Sequence, residues 1–344
     1  MTEQLVRVPA SAAPEAPSPE ASQRSRGRVV NFRGEDEFHQ CWYPVALSAE
    51  VTAGSVIGAP FLDGRVVVYR TSDSAVHVQS AYCRHMGADL AVGQVVDDQL
   101  QCPFHLWSYD SGGACVKVPA GDKPPRNAKL FNYTVAESLG IIWAFNGDTP
   151  PHPAPHFDLG DDDLVINAFR NPLTMQVDSS VVFMNTFDLQ HFRVVHGMPI
   201  DVDESGIRED NQTLTLQVKT TAPEFGEMVQ ERKLWGVNTV TVESESNGRR
   251  LYLLHALCPI AQAATQGFLV TATPKGPSED DDAIAKMLEQ TREYSLRLVH
   301  EDAPIFDTIR FRVDCMTASD KFLLWGVRYI SKYPRAHPGR TMIN

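Results

Sequence analysis

Short apolar runs separated by turn residues fill the first half of the chain between Phe38 and Asp148. Asp63-Gly64 and Ser111-Gly112-Gly113 are typical turn signals between such runs. The pattern predicts a small all-β domain. Its predicted strands cover Val66–Tyr69, Ala75–Gln79, Leu100–Cys102, Ala114–Val118, Phe131–Ala136 and Ile141–Phe145.

A proline-dense segment, Thr149–Asp158, predicts an extended linker to a second unit. Beyond it, strands are predicted over Leu214–Val218, Val237–Val242, Leu251–Cys258 and Gly267–Thr273, and helices over 179–195 and 281–312. Pro304 is expected to kink or interrupt the second helix. The fold class predicted is α+β: a small all-β domain, residues 30–150, followed by an α+β domain, residues 151–344, with an antiparallel sheet and a long C-terminal helix.

Composition narrows the functional classes. The 344 residues suffice for two domains, and residues 1–29, rich in Ala, Pro and Ser, predict a disordered tail. A net charge of −12 argues against a nucleic-acid partner, and no apolar stretch is long enough to span a membrane. The cysteines are too few and too scattered for a disulfide framework, which favours a reducing, cytoplasmic location. Those outside the motifs below are expected to be buried thiols: Cys41, Cys115, Cys258 and Cys315.

The first chemical motif is Cys83-x-His85, followed after sixteen residues by Cys102-x-x-His105. Two thiolates and two imidazoles are the ligand set of a Rieske [2Fe-2S] cluster, but they also suit a structural zinc ion. Zinc fingers usually keep their two cysteines together and their two histidines together. Here each short motif contributes one of each, which favours the cluster and leaves zinc as the alternative.

The second motif is Asp188-x-x-His191-x-x-x-x-His196. Two histidines and a nearby carboxylate are the parts of a mononuclear non-haem Fe(II) site, although such a pair can also be an ordinary buried or surface one. On one helix Asn185, Asp188 and His191 would share a broad face. His196 would point about 140° from His191 on a regular helix, so the helix must end or distort between them. Gly197 is the expected stop.

The segments A-Y-C-R-H-M-G-A-D-L and C-P-F-H-L-W-S-Y-D-S-G-G, with Gly87, Pro103 and Trp107, resemble the Rieske signature. Together with the histidine pair, residues 38–340 resemble the oxygenase components of Rieske non-haem iron oxygenases, and their ligand loops are nearest to those of 3-ketosteroid 9α-hydroxylases. The resemblance implies that Cys83 and Cys102 bind one cluster iron and that His85 and His105 bind the other. It also implies a helix-grip, START-like second domain.

The same resemblance implies one Fe(II) ion held by His191, His196 and a carboxylate of the C-terminal helix. The candidates are Glu301, Asp302, Asp307 and Asp314, and the sequence D-A-P-I-F favours Asp302. Asp188 would link His105 of one subunit to His191 of the next in a homotrimer. Asn185 matches a position where some relatives place an amide near the iron.

Electrons would come from a separate NAD(P)H-dependent flavin reductase, with or without a ferredoxin, because the chain has no G-x-G-x-x-G fingerprint and no further cysteine array. The basic residues in and after the ligand loops are predicted to dock this donor, with dispersed surface charge as the alternative: Arg84, Lys117, Lys123, Arg126 and Lys129.

The function expected is insertion of oxygen from O2 into a small apolar substrate, steroid-like or aromatic. Alternatives are N- or O-demethylation, desaturation, and electron transfer without oxygenase activity. The predicted substrate pocket draws on Phe183, Phe187, Trp235, Phe268, Ile305 and Phe306.

Overall fold

The structure, a computed structural model, describes residues 30–32, 37–222, 226–246, 248–276 and 281–344. The tail predicted for residues 1–29 therefore lies outside the described residues. The first half contains short strands: β1 (Phe38–His39), β2 (Trp42–Leu47), β3 (Val56–Phe61), β4 (Gly64–Arg70), β5 (Val76–Ser80), β6 (Gln94–Val96), β7 (Gln99–Gln101), β8 (Ser108–Tyr109), β9 (Cys115–Lys117), β10 (Thr134–Ser138) and β11 (Ile141–Phe145).

Ten of these strands form three small antiparallel sheets, with orders β10-β11-β2, β3-β4-β5 and β6-β7-β8-β9. Strand β1 pairs instead with Arg335–Ala336. The third sheet and the turns beside it have their own apolar cluster, which includes Tyr69, Leu90, Leu100 and Tyr109. Cys83 and Cys102 are buried in that cluster. The predicted all-β domain and its strands are present, with strand ends shifted by up to three residues.

Among the residues that the structure describes, the second half contains nine strands and five α-helices. They are β12 (Leu164–Met175), α1 (Ser179–Met184), α2 (Leu189–Val194), β13 (Ile200–Val202), β14 (Arg208–Asp210), β15 (Thr213–Ala222), β16 (Gly226–Trp235), β17 (Thr239–Ser246), β18 (Arg249–Ala261), β19 (Ala264–Pro274), α3 (Asp281–Phe306), α4 (Lys321–Lys332), β20 (Arg335–Ala336) and α5 (Arg340–Ile343).

One antiparallel sheet organises this half, with strand order β12-β19-β18-β17-β16-β15-β13 and β14 paired to β15. The long helix α3 packs against β19 and β12. This arrangement confirms the predicted α+β fold with an antiparallel sheet and a long C-terminal helix. No helix of the described residues is long and apolar enough to cross a membrane.

Several predicted boundaries were wrong. The helix predicted over 179–195 is broken into α1, a 3₁₀ turn at Asn185–Phe187, and α2. Helix α3 ends at Phe306, and Pro304 lies in its last turn, where the missing N–H of the proline removes one helical hydrogen bond and the helix stops two residues later. Two helices, α4 and α5, were not predicted, and neither were the strands β1, β2, β3, β6, β8, β12, β13, β14, β16 and β20.

The two halves share one buried core, which runs from Trp143 and Phe145 of β11 to Tyr252 and Phe268 of the large sheet. Polar contacts also cross the junction. The buried Asn238 Nδ2 donates to the carbonyls of Trp42 and Leu257, at 2.9 and 3.1 Å. The proline-dense segment is held there too, since Trp42 Nε1 donates to the carbonyl of His152 at 3.0 Å.

Gly236 stands in the loop between β16 and β17 at this junction, with φ +72°. A Cβ atom there would lie 2.6 Å from Cys41 Sγ. We expect Gly236→Ala to lower the free energy of unfolding by about 1–3 kcal/mol beyond the cost of a left-handed alanine, because the core must shift. Denaturant unfolding measures this. Gly54→Ala is the control, since Gly54 has φ +76° and open space around it. Equal losses for the two variants would contradict the proposed close packing.

Candidate metal centres

The two Cys/His loops have the same backbone hydrogen bonds. Cys83 N donates to Ala88 O at 2.9 Å and its carbonyl accepts from Gly87 N at 2.9 Å. Cys102 N donates to Trp107 O at 2.8 Å and its carbonyl accepts from Leu106 N at 3.2 Å. Both loops turn through a positive φ at the fourth residue after the cysteine, +76° at Gly87 and +57° at Leu106. A leucine in this conformation is strained, which is common where loops hold functional groups.

These loops place two thiols below two imidazoles. Cys83 and Cys102 are only 4% and 1% exposed, whereas His85 and His105 are exposed and their ring centroids lie 4.7 Å apart. Trp107 stacks on His85 at 4.5 Å. Burial raises the pKa of the Cys102 thiol, because it disfavours the charged thiolate. A bound metal would stabilise that thiolate. The donor set and its burial fit a [2Fe-2S] cluster whose histidine-bound iron faces the solvent.

A second donor set lies between α2 and α3. His191 Nε2 and His196 Nε2 are 2.8 Å apart, and Asp302 Oδ1 lies 3.4 Å from each. Asp302 Oδ1 is buried and has no aligned hydrogen-bond donor. Two imidazole nitrogens beside a carboxylate oxygen that has no hydrogen bond make a set of three donor atoms that fits a divalent metal ion.

The outer nitrogens of both imidazoles are held from behind. His196 Nδ1 lies 2.7 Å from Glu301 Oε2, and His191 Nδ1 lies 3.3 Å from the carbonyl of Asp188. Burial alone would lower the pKa of His196, but its contacts with Asp302 and Glu301 outweigh burial and raise it. Partners of this kind fix the tautomer and orientation of a metal-binding histidine. Both Nε2 atoms are therefore directed at Asp302.

Asp188 interrupts the predicted helix and begins α2, the helix that carries His191. Its backbone, at φ −91° and ψ 89°, ends the 3₁₀ turn, and its Oδ1 caps α2 by accepting from Gln190 N and His191 N, each at 3.1 Å. Asn185, Asp188 and His191 thus do not share one helical face, contrary to the expectation. Helix α2 ends at Val194, and Gly197 reverses the chain at φ +65°, as predicted for that glycine. His196 is thereby turned back toward His191.

Asn185 is also brought to this centre. Its Nδ2 donates to Asp302 Oδ2 at 3.1 Å and lies 3.2 Å from His191 Nε2. Of the other candidate acids, Glu301 contacts the far side of His196, whereas Asp307 and Asp314 are exposed. Cys315 is also exposed, contrary to the expectation of a buried thiol.

A cavity of about 200 Å³ opens beside His191, His196 and Asp302. Phe183, Phe268 and Phe306 line it, as predicted. The other three aromatic and apolar candidates do not: Phe187 is buried against Phe322, Trp325 and Tyr329, Trp235 donates to Thr241, and Ile305 is 44% exposed. Sequence reasoning missed the polar part of the wall, which includes Gln230, Arg232, His255 and Thr291.

Comparison with known proteins decides the identity of the first centre. Residues 41–134 match the family model described as "Rieske [2Fe-2S] domain". These residues form a Rieske domain.

The chain is similar to protein TIC 55 of Pisum sativum, 28% identical over 211 residues, which are 59% of this chain and 36% of that protein. It is also similar to aminopyrrolnitrin oxygenase PrnD of Pseudomonas fluorescens, 32% identical over 184 residues, which are 49% of each. The chain spans half or less of the length of these curated relatives. Their similarity confirms the predicted relationship to Rieske oxygenase components.

Similarity of fold extends beyond the Rieske domain. The crystal structure of dicamba monooxygenase bound to dicamba superimposes with a TM-score of 0.71 at 21% identity, over 86% of this chain and 98% of that one. At this level of identity the likeness concerns the fold alone. Both the Rieske domain and the α+β domain are therefore arranged as in that protein.

Replacement of Asp302 tests the second donor set. We expect Asp302→Ala to lower the iron content from about three to about two atoms per chain while the visible spectrum of the cluster is kept, because only the mononuclear ion loses a ligand. Metal analysis of the purified protein measures this. Asp314→Ala removes an exposed acid nearby in sequence and should change nothing. A full iron complement in Asp302→Ala would contradict the assignment.

Tyr109 offers a second test, at the Rieske domain. Its hydroxyl oxygen accepts from Arg84 N at 3.0 Å, which leaves its proton for Cys83 Sγ at 3.2 Å. Hydrogen bonds to the cysteine sulfurs raise the reduction potential of such clusters, so Tyr109→Phe should lower it with the cluster retained. Voltammetry of the purified protein measures the shift. Tyr69→Phe is the control, since the Tyr69 hydroxyl is buried in the same apolar cluster without a partner. An unchanged potential in Tyr109→Phe would show that this bond is not made.

Proposed function

We propose that this chain is the terminal oxygenase component of a Rieske-type system, which inserts oxygen from O2 into a small, largely apolar organic substrate. The observation that carries the proposal is the position of the second donor set. His191, His196 and Asp302 lie on the wall of a cavity lined mainly by apolar side chains. A metal ion held there would be open to a substrate inside the cavity.

The chain's own residues would divide the work as follows. Cys83, His85, Cys102 and His105 would hold the cluster. His191, His196 and Asp302 would hold Fe(II) on one side and leave its other positions free. When bound, the two iron groups supply stored electrons and a site where dioxygen is activated.

The residues around the iron ligands would keep them in place. Glu301 would hold His196 through Nδ1, and the carbonyl of Asp188 would hold His191. Asn185 would hold the second oxygen of Asp302, because its amide donates to Oδ2. The apolar wall, with Phe183 and Phe306, would exclude water from the reacting centre.

Electrons would pass between subunits. His85 and His105 are exposed, so a neighbouring copy of the chain can reach the cluster edge. We propose a homotrimer in which Asp188 links His105 of one subunit to His191 of the next. Asp188 caps α2 with Oδ1. The carboxylate geometry therefore leaves Oδ2 as the oxygen for that link.

A separate NAD(P)H-dependent flavin reductase, with or without a ferredoxin, would reduce the cluster. The predicted basic docking residues Arg84, Lys117, Lys123, Arg126 and Lys129 are all exposed, which supports their availability to an acidic donor. The cytoplasmic location stays a prediction from the cysteine pattern. Hydroxylation and N- or O-demethylation use the same centre, and the product distinguishes them.

The test compares two variants under the same conditions, with a surrogate reductase and a panel of aromatic acids, sterols and methylated amines. His191→Ala should keep the visible Rieske spectrum and lose substrate-dependent product formation. Cys102→Ala should lose the spectrum. Oxygen uptake and product analysis by mass spectrometry measure turnover. Turnover retained by His191→Ala, or no product from the iron-loaded parent chain on any substrate, would overturn the proposed function.

A further inference from the structure

The cavity contains a buried positive charge without an ionic partner. Arg232 is only 8% exposed and lines the cavity wall. Within the described residues, no carboxylate lies within 4.0 Å of its guanidinium group. Its hydrogen bonds go to a neutral side chain, with Nε and Nη2 donating to Gln230 Oε1 at 3.1 and 2.8 Å. The guanidinium group therefore keeps its positive charge and its remaining N–H donors available for a ligand in the cavity.

The surroundings of Arg232 do not neutralise it. Its Cζ lies 5.3 Å from the ring centroid of Phe192, a contact that supplies far less than a carboxylate would. Burial lowers the pKa of Arg232 to about 10, so the group stays protonated at neutral pH. The pKa of His255 is lowered to about 4, first by the burial of His255 itself and second by the nearby charge of Arg232. The neighbouring histidine is therefore neutral at pH 7 and adds no second positive charge.

The strand that carries Arg232 directs it inward. Met228, Gln230 and Arg232 alternate along β16 and all line the cavity. A buried charge costs several kcal/mol unless it is paired, and arginine pairs best with a planar anion that accepts two parallel hydrogen bonds. A guanidinium group facing a ligand cavity from a rigid strand is thus suited to a carboxylate on the ligand.

Arg232 also has a defined position relative to the candidate iron ligands. Phe192 is near both groups: its ring centroid lies 5.3 Å from Arg232 Cζ and 5.9 Å from the ring centroid of His196. A molecule with its anionic group at Arg232 could thus extend an apolar body along Phe192 toward His191 and His196. The cavity of about 200 Å³ favours a body of one or two rings.

We propose that the substrate is a small organic anion, an apolar one- or two-ring body with a carboxylate, and that Arg232 binds the carboxylate and sets which end of the molecule faces the metal centre. Gln230 is a positioning residue here, since it fixes the guanidinium plane through Nε and Nη2. The inference rests on the proposed function, because it assigns the substrate class of the same site.

The test measures binding and does not depend on turnover. Isothermal titration calorimetry measures the binding of four compounds to the iron-loaded parent chain. Benzoate is compared with its neutral amide, benzamide, and 2-naphthoate with 2-naphthamide. We expect at least one carboxylate to bind more than roughly tenfold more tightly than its amide, because removing one partner of a buried charge pair weakens binding at least that much. Equal or tighter binding of the amides, or no saturable binding of either carboxylate at millimolar concentrations, would overturn the proposal.

Two variants separate recognition from structure. Arg232→Met keeps an unbranched apolar stem without the guanidinium group and should abolish the preference for the carboxylate, while Arg232→Lys keeps the charge and should retain part of it. A guanidinium group needed only for folding would make Arg232→Met much less stable. We expect its thermal unfolding temperature to be unchanged or higher, since an unpaired buried charge is replaced by an apolar chain. A retained preference in Arg232→Met, or a large loss of stability, would contradict the proposal.

The outcomes also distinguish this inference from the proposed function. Arg232-dependent binding of carboxylates without any product would overturn the oxygenase and leave the anion site standing. Conversely, turnover of neutral compounds by a chain that binds no carboxylate would support the oxygenase and overturn the anion site.

Discussion

Asp302 Oδ1 is buried beside two imidazole nitrogens and receives no aligned hydrogen bond. Burying a carboxylate oxygen without a partner lowers the stability of the fold. The elements of the second half of the chain nevertheless hold this oxygen in the interior. Helix α3 supplies Asp302 from one side of the cavity, and α2 and the turn after it supply His191 and His196 from the other. Asn185 satisfies the second carboxylate oxygen. What is left over is a single oxygen that a cation would satisfy.

The histidines reach this oxygen only because helical structure fails at the right place. A continuous helix would have turned His196 away from His191. The end of α2 at Val194 and the chain reversal at Gly197 prevent this. Asp188 acts at the other end of α2, where its side chain accepts from the first amides and its backbone leaves the helical region. Its carbonyl then holds His191 Nδ1. One residue therefore breaks a helix, caps the next one and orients a ligand, which ties local backbone chemistry directly to the metal centre.

The Rieske ligands and the turn after helix α2 could be predicted from the sequence, because each depends on residues that are close together in the chain. The spacing of Cys83, His85, Cys102 and His105 identified the Rieske domain, and the expected stop at Gly197 follows from the geometry of helices. The break at Asp188 was missed because helical periodicity says nothing about whether a carboxylate faces solvent or caps the next turn. Strand β16 was missed for a different reason. Its inward positions include Gln230 and Arg232, so it lacks the apolar alternation that marks a half-buried strand.

That failure bears on function, because polar residues on the inner face of a strand oppose folding unless hydrogen bonds, ion pairs or a bound ligand compensate them. The cavity has two such places. At one end Asp302 presents a negative oxygen without a hydrogen bond, and at the other Arg232 presents a positive group bonded only to a neutral amide. The two charges do not neutralise each other within the described residues, although they lie on the same cavity. Phe192 lies near both Arg232 and His196 and contributes an apolar side chain to the cavity wall. The cavity thus has a group that suits a cation, a group that suits an anion, and apolar wall residues. A ligand with one anionic group would bind in a single orientation. A centre that oxidises one position of a molecule requires such a fixed orientation.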